Sequence, residues 1–180
     1  MPSDHEWPQA PTLSTSTTLI TPLAVDDADA VAAALDDPRL HAFIGGEPAS
    51  ADQLRERFVC LIAGQSPDGS EGWLNWVIRD RDTSEVIGTL QATITTAPEG
   101  RCAEVAWVVA TRWQGRGLAK ETAGEMVAWL RTQDITEIAA HVHPDHEASA
   151  AVARSLGMAP TDERVDGEVR WSRSIPRTAP

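Results

Sequence analysis

The segment that most constrains the fold is Val108-Val-Ala-Thr-Arg-Trp-Gln114-Gly-Arg-Gly117-Leu-Ala-Lys120-Glu121. A mostly apolar run, Ala103–Val109, enters a short loop with two glycines, and an amphipathic helix opens at once, with Leu118, Thr122, Ala123, Met126, Val127 and Leu130 at helical spacing. The first N–H groups of a helix lack intrahelical partners and carry the positive end of its dipole. Glycine lets the backbone approach an anion closely. Arg112, Arg116 and Lys120 add three cations within nine residues, in a chain whose net charge is −12. A phosphate or diphosphate suits such a place. The loop is neither a dinucleotide fingerprint, which needs a third Gly and a later acidic residue, nor a P-loop, which needs Gly-Lys-Ser/Thr. An ordinary strand–helix connection with solvated arginines remains the plain alternative.

Around this segment the pattern predicts a mixed α+β domain. Thr18–Leu23 reads as a first strand and the Ala-rich Asp26–Leu35 as a helix. Ser50-Ala-Asp-Gln53 is a capping box. The helix it opens puts Leu54, Phe58, Leu61 and Ile62 on one face, with Gly64 as C-cap and Cys60 read as core. Residues 64–72 form a loop. Trp73–Arg79 and Val86–Thr95 make a hairpin, and Ala103–Val109 reads as a strand buried on both faces. Ile138–Val142, a helix over Ala148–Leu156 and a strand over Val169–Ser172 complete the order. Residues 1–16, rich in Pro, Ser and Thr, are expected to be a loose arm, 17–173 a single domain, and 174–180 a frayed tail.

The charge balance and a pI near 4.7 argue against a general binder of nucleic acid or anionic membranes, yet suit a cationic substrate. Two cysteines make no disulfide framework. No apolar run nears the roughly 20 residues of a membrane span, and the first residues lack a basic, then apolar, signal pattern. The expected compartment is the cytoplasm.

Gln114-Gly-Arg-Gly117-Leu-Ala119 resembles the Gln/Arg-x-x-Gly-x-Gly/Ala motif of the GNAT N-acetyltransferases. Ala103–Val109 with Arg112–Glu121 looks like the RimJ/RimL branch, which acetylates ribosomal-protein N-termini. Pro144-Asp-His-Glu-Ala-Ser149, the following Leu156-Gly157-Met158, and Leu19–Leu23 before an acidic stretch extend the similarity over about residues 18–173. The resemblance implies the GNAT fold and acetyl-CoA as acetyl donor. Backbone groups of Trp107, Val108 and Val109 would pair with the pantetheine arm. With Gln114 opening the motif, the amides of Gly115, Arg116, Gly117, Leu118, Ala119 and Lys120 would hold the diphosphate. His146 stands where the family has Asn, a departure that touches a cofactor contact. Ser149 matches, and would lie near the sulfur.

Acetyl transfer from a thioester to an amine needs a neutral amine, a held oxyanion and a stabilised thiolate. Freeing a model α-amine of its proton at pH 7 costs about 1 kcal/mol, against about 4.6 for lysine. Glu104, the one acid inside Ala103–Val109, is the candidate base; its plain reading is a structural hydrogen-bond partner. With no Tyr in the chain, a tyrosine acid is closed, and Ser149 is the candidate donor to the sulfur. The resemblance implies a main-chain N–H near Val109 as the donor to the oxyanion. His141, His143 and His146 form a His-x-His-x-x-His cluster, but no metal is expected, because acetyl transfer needs none. The expected partners are acetyl-CoA and an amine acceptor, either a protein N-terminus or a small molecule, and a homodimer is among the expected assemblies. The competing reading is a non-catalytic acyl-CoA sensor with the same fold.

Overall fold

The computed structural model describes residues 7–176. One eight-stranded sheet runs through it: β1 (Leu13–Ser14), β2 (Thr18–Pro22), β3 (Glu71–Asp80), β4 (Val86–Ala97), β5 (Gly100–Val109), β6 (Ile135–Val142), β7 (Ala159–Val165) and β8 (Glu168–Ser174). The spatial order is β1-β2-β3-β4-β5-β6-β8-β7, and every neighbouring pair is antiparallel except β5 with β6. Five helices accompany it: α1 (Ala28–Ala34), α2 (His41–Ile44), α3 (Ala51–Leu61), α4 (Leu118–Leu130) and α5 (Glu147–Ser155). The architecture is the expected α+β mixed sheet with helices on both faces.

Period-two alternation sorts the sheet's side chains. Leu74, Trp76 and Ile78 of β3, Leu90, Ala92 and Ile94 of β4, and Ala103 and Val105 of β5 point to one face and are almost fully buried. There they pack with Ala123, Met126 and Leu130 of α4 and with Val152 and Ala153 of α5. All six positions read from the helical period of α4 are buried. On the opposite face Val77 and Val86 form a smaller core with Ala28 and Val31 of α1 and Phe58 of α3. The capping box holds: Gln53 N donates to Ser50 Oγ at 3.2 Å, and Ser50 N to Gln53 Oε1 at 2.9 Å.

The structure departs from the sequence reading in four places. Residues 7–16 are not loose: Trp7 is buried, and Leu13 and Ser14 pair with β2; residues 1–6 lie outside the described residues. At the other end Ser174 closes β8 and Ile175 is buried, with its N–H on the Thr136 carbonyl, while 177–180 lie outside the described residues. Cys60 and Ile62 are exposed, because α3 lies on the sheet surface and buries only Phe58 fully. β5 is buried on one face alone; Glu104 and Ala106 are exposed on the other. Apolar residues on both faces of that strand arise from a cleft, not from a second core.

Candidate active site

β5 pairs with β4 along its whole length, Gly100–Val109, but with β6 only from Arg101 to Glu104. Beyond Ala139, β6 continues beside β8 alone. Each of the two strands runs on toward a helix on the same face, β5 into α4 and β6 into α5, and the splay leaves the Val105–Val109 edge of β5 free. A strand edge carries unpaired N–H and C=O groups that an extended ligand can meet. The Val109 carbonyl is one exception, since Gln114 Nε2 donates to it at 3.0 Å.

The N-termini of α4 and α5 flank this gap. Gly117 caps α4 in the left-handed region (φ +78°), and Gly115 has φ +76°, conformations that favour glycine. A Cβ built on either meets no atom within 4 Å, so these residues border open space rather than packed protein. Among the described residues no backbone carbonyl accepts from the amides of Gly115 to Lys120, and Gly117 offers no side-chain cap. The result is a crown of outward donors at a positive helix end. The Arg116 guanidinium lies 4.7 Å from the centre of the Trp113 ring, and Arg112 is paired with Glu85.

Three linked chambers open along the cleft. The first, about 450 Å³, is walled by Trp107, Val108, Val109, the glycine loop and the start of α5 with His146 and Ser149. The second, about 300 Å³, shares Trp107, Val108, His146 and Ser149 with it and reaches Glu104 and His141. The third, about 430 Å³, lies between α1, α3 and the sheet and is mostly apolar. Ile44 and Val108 border all three.

Glu104 projects into the second chamber, and its Oε1 lies 2.8 Å from His141 Nδ1. His141 lies on the same face one strand over and keeps Nε2 buried with no partner. The His146 ring stacks on Phe43 of α2 with centroids 4.2 Å apart and planes 5° apart. Burial first, and then neighbouring His143, pushes the His146 pKa below the usual histidine value, and Glu168 opposes this. His143 accepts from Asp145 N at 3.2 Å and flanks the same Phe43. His141 thus answers to Glu104 while His143 and His146 share Phe43, and among the described residues no group of three or more His, Cys, Asp or Glu side chains is placed to hold a metal ion.

The structure thus brings together Glu104, Trp107, Val108, Val109, Gln114, Gly115, Gly117, Leu118, Ala119, Lys120, His146 and Ser149 along one cleft. Arg116 is the outlier: its exposed side chain stacks on Trp113 and does not line a chamber. Sequence reasoning missed Phe43, Asn75 and Gln91. For Asn75 there was a signal, a carboxamide inside the otherwise apolar run Trp73–Ile78; Gln91 is one of several polar residues that alternate along β4. Of the four buried side-chain polar atoms without a partner among the described residues, three belong to residues that border the chambers: Trp113 the first, His141 the second, and Asn75 the third and also the pocket beside Trp7.

The sequence matches the family model described as the acetyltransferase (GNAT) domain over residues 18–159. The chain belongs to the GNAT acetyltransferase family. Among solved structures, a ribosomal-protein-S5-alanine acetyltransferase from Vibrio fischeri superposes with a TM-score of 0.73 at 19% identity, covering 94% of this chain and 99% of that one. A spermidine N-acetyltransferase from Vibrio cholerae, in complex with CoA and spermine, gives 0.70 at 19% identity, covering 89% and 96%. An acetyltransferase from Agrobacterium tumefaciens gives 0.68 at 26%, covering 94% and 98%. No curated protein sequence matches at a significant level. The eight-stranded sheet with its β5–β6 splay is thus the GNAT fold. Among the described residues no helix is long and apolar enough to cross a membrane.

Coenzyme A fits the residues present. The amide crown and dipole of α4 suit a diphosphate, the open space at Gly115 and Gly117 leaves it room, and the free edge of β5 suits an amide-bearing chain.

Proposed function

We propose that this GNAT protein transfers an acetyl group from acetyl-CoA to a primary amine, by direct attack with both substrates bound. Acetyl-CoA supplies an activated acetyl thioester. The chain's own residues do the rest. The amides of Gly115 to Lys120 bind the diphosphate, and the Trp107–Val109 edge orients the pantetheine arm toward the second chamber. Ser149, in the first turn of α5, borders that chamber and the coenzyme chamber alike, where its hydroxyl can donate to the departing sulfur. A main-chain N–H at the end of β5 is the donor for charge developing on the acetyl oxygen. Glu104 takes the amine proton, directly or through water, and its hydrogen bond to His141 holds the carboxylate in the cleft.

The observation that carries this reading is the convergence of the free β5 edge, the uncapped α4 N-terminus and Glu104 on adjoining chambers. Calorimetry with CoA, followed by release of free thiol from acetyl-CoA in the presence of an amine panel, tests it. Binding with acceptor-dependent thiol release is the expected result. Absence of binding overturns the site assignment; binding without turnover on any amine would leave the sensor in its place.

A further inference from the structure

We infer that the third chamber holds the hydrocarbon tail of the acyl donor, so that the chain accepts medium-length acyl thioesters, about six to eight carbons long, more readily than acetyl-CoA. The inference rests on the acetyltransferase reading above and concerns the acyl end of the donor.

Each chamber has its own chemistry. The first carries the glycine loop that opens α4, and the second carries Glu104, the proton acceptor. The third has neither. Its two charged side chains, Glu47 and Arg57, are exposed, and the His41 ring is engaged with the Gly45 carbonyl at 2.9 Å. An ammonium ion drawn in among the remaining side chains would leave water without a carboxylate to meet it. What the third chamber offers is hydrocarbon. Leu23, Leu35, Leu40, Leu54 and Leu61 line it, and none of the five is fully buried. Ile44 borders all three chambers and is 53% exposed, a large apolar side chain left in water at their junction. Covering such surface with an alkyl chain is favourable.

The junction lies where the thioester arrives. Leu40, Ile44 and Val108 belong to the third chamber and to the coenzyme chamber, and Val108 is part of the Trp107–Val109 edge that orients the pantetheine arm. Ser149, the donor to the sulfur, borders the first and second chambers, as Ile44 and Val108 do. From Val108 on β5 the floor of the third chamber crosses Thr89 and Gln91 on β4 to Asn75 on β3. Two strand spacings make about 10 Å. C–C bonds of about 1.5 Å advance roughly 1.3 Å per carbon in an extended chain, so this floor holds a tail of about six to eight carbons. The amine nitrogen attacks the thioester carbon from the second chamber while the tail stays in the third. The C–N bond forms, the C–S bond breaks with its electron pair on sulfur, and the proton that the amine gives to Glu104 balances the one that CoA gains as a free thiol. An amide of the acyl group and CoA are the products, and no co-reactant is needed.

The test is calorimetry on the intact chain with acetyl-CoA, octanoyl-CoA and dodecanoyl-CoA, followed by thiol release from each with the same amine panel. Each methylene that leaves water contributes about fourfold in affinity. Octanoyl-CoA should therefore bind tenfold or more tighter than acetyl-CoA and exceed it by a similar factor in kcat/KM, while dodecanoyl-CoA, longer than the floor, gains nothing further. Two variants localise the effect. Leu54→Asp, near the N-terminus of α3 where the dipole favours an acid, and Leu35→Gln should each lower octanoyl-CoA affinity about tenfold. Their acetyl-CoA affinity should stay within twofold of wild type, which also reports folding. Octanoyl-CoA binding no tighter than acetyl-CoA, or losing nothing in both variants, overturns the inference and leaves the acetyltransferase reading standing. So does a gain that continues undiminished to dodecanoyl-CoA, or turnover of acetyl-CoA alone. Absence of binding by every thioester overturns the parent reading, and binding with no donor turned over overturns both.

Discussion

At the scale of single residues, two positions separate chemistry from architecture. Glu104 is exposed in the second chamber and bonded to His141, so its replacement removes no packed volume. Glu104→Gln keeps the shape and loses the proton acceptor. It should lower kcat by about 100-fold or more, the range of a general base, while the CoA dissociation constant from calorimetry stays within twofold. Gly88 is the architectural counterpart. A Cβ there would stand 2.0 Å from the Val108 carbonyl oxygen, a backbone atom that cannot swing aside. Gly88→Ala must therefore push β5 away from β4 at the very residues that border the cleft. We expect a loss of about 1–3 kcal/mol in urea unfolding together with weaker CoA binding. Unchanged affinity in that variant would show that the Val108 edge does not touch the coenzyme.

At the scale of elements, the α4 N-terminus and the α5 N-terminus make different predictions. A β-branched residue at Gly117 meets no steric neighbour but must hold φ near +78°. Gly117→Val thus adds roughly 1–2 kcal/mol of backbone strain and fills the space above the amide crown, so CoA affinity should fall tenfold or more by calorimetry. At α5, burial keeps His146 neutral below the ordinary histidine pKa, stacked on Phe43. The unfolded chain then binds a proton near pH 6.5 that the folded chain refuses, so stability rises with pH through this window and is lost as pH falls below about 6.5. The apparent Tm should drop less between about pH 7 and pH 5.5 in His146→Gln than in the wild type, and an NMR titration should place the His146 midpoint below about 6.5. These two elements also show what could be read in advance. The period of α4 and its glycines occupy contiguous residues, so periodicity and loop chemistry were both visible. β7 was not: Ala-Pro-Thr-Asp-Glu-Arg-Val is polar and exposed at a sheet edge, and its pairing with β8 slips between Pro160 and Arg164. Nor was α2, whose four residues are too short for any period, although it supplies Phe43 and Ile44 to the cleft. The apolar chamber draws on α1, α2, α3, β3 and β4, and no local pattern joins residues so far apart in the chain.

At the scale of the whole molecule, the N-terminal segment ties together one sheet whose far rows border the cleft. Composition alone makes residues 7–16 look loose, but one tryptophan reverses that. Trp7 is buried in the main core, and its Nε1 donates to the Gly69 carbonyl at 3.2 Å. A Cβ on Gly72 would come within 2.8 Å of its ring, so the glycine makes room for it. The Arg101 guanidinium sits 5.4 Å from the ring centre, and the Pro11 carbonyl accepts from Trp76 Nε1 at 2.8 Å. The segment is a strap: Trp7 is held at the Gly72–Ile94–Ala103 row, while Pro11 and Leu13 attach further along, at the Trp76 and Ile78 rows. The cleft borders Val105–Val109, further along β5. Removing the indole leaves a large cavity, so Trp7→Ala should cost about 3 kcal/mol in denaturant unfolding. Because the strap meets none of the three chambers, the same variant, at a temperature where it remains folded, should bind CoA with wild-type affinity. A parallel loss of stability and affinity would mean that the Trp7 row and the splayed end of β5 move as one unit, and that the free edge of β5 is held open by packing around the Trp7 indole.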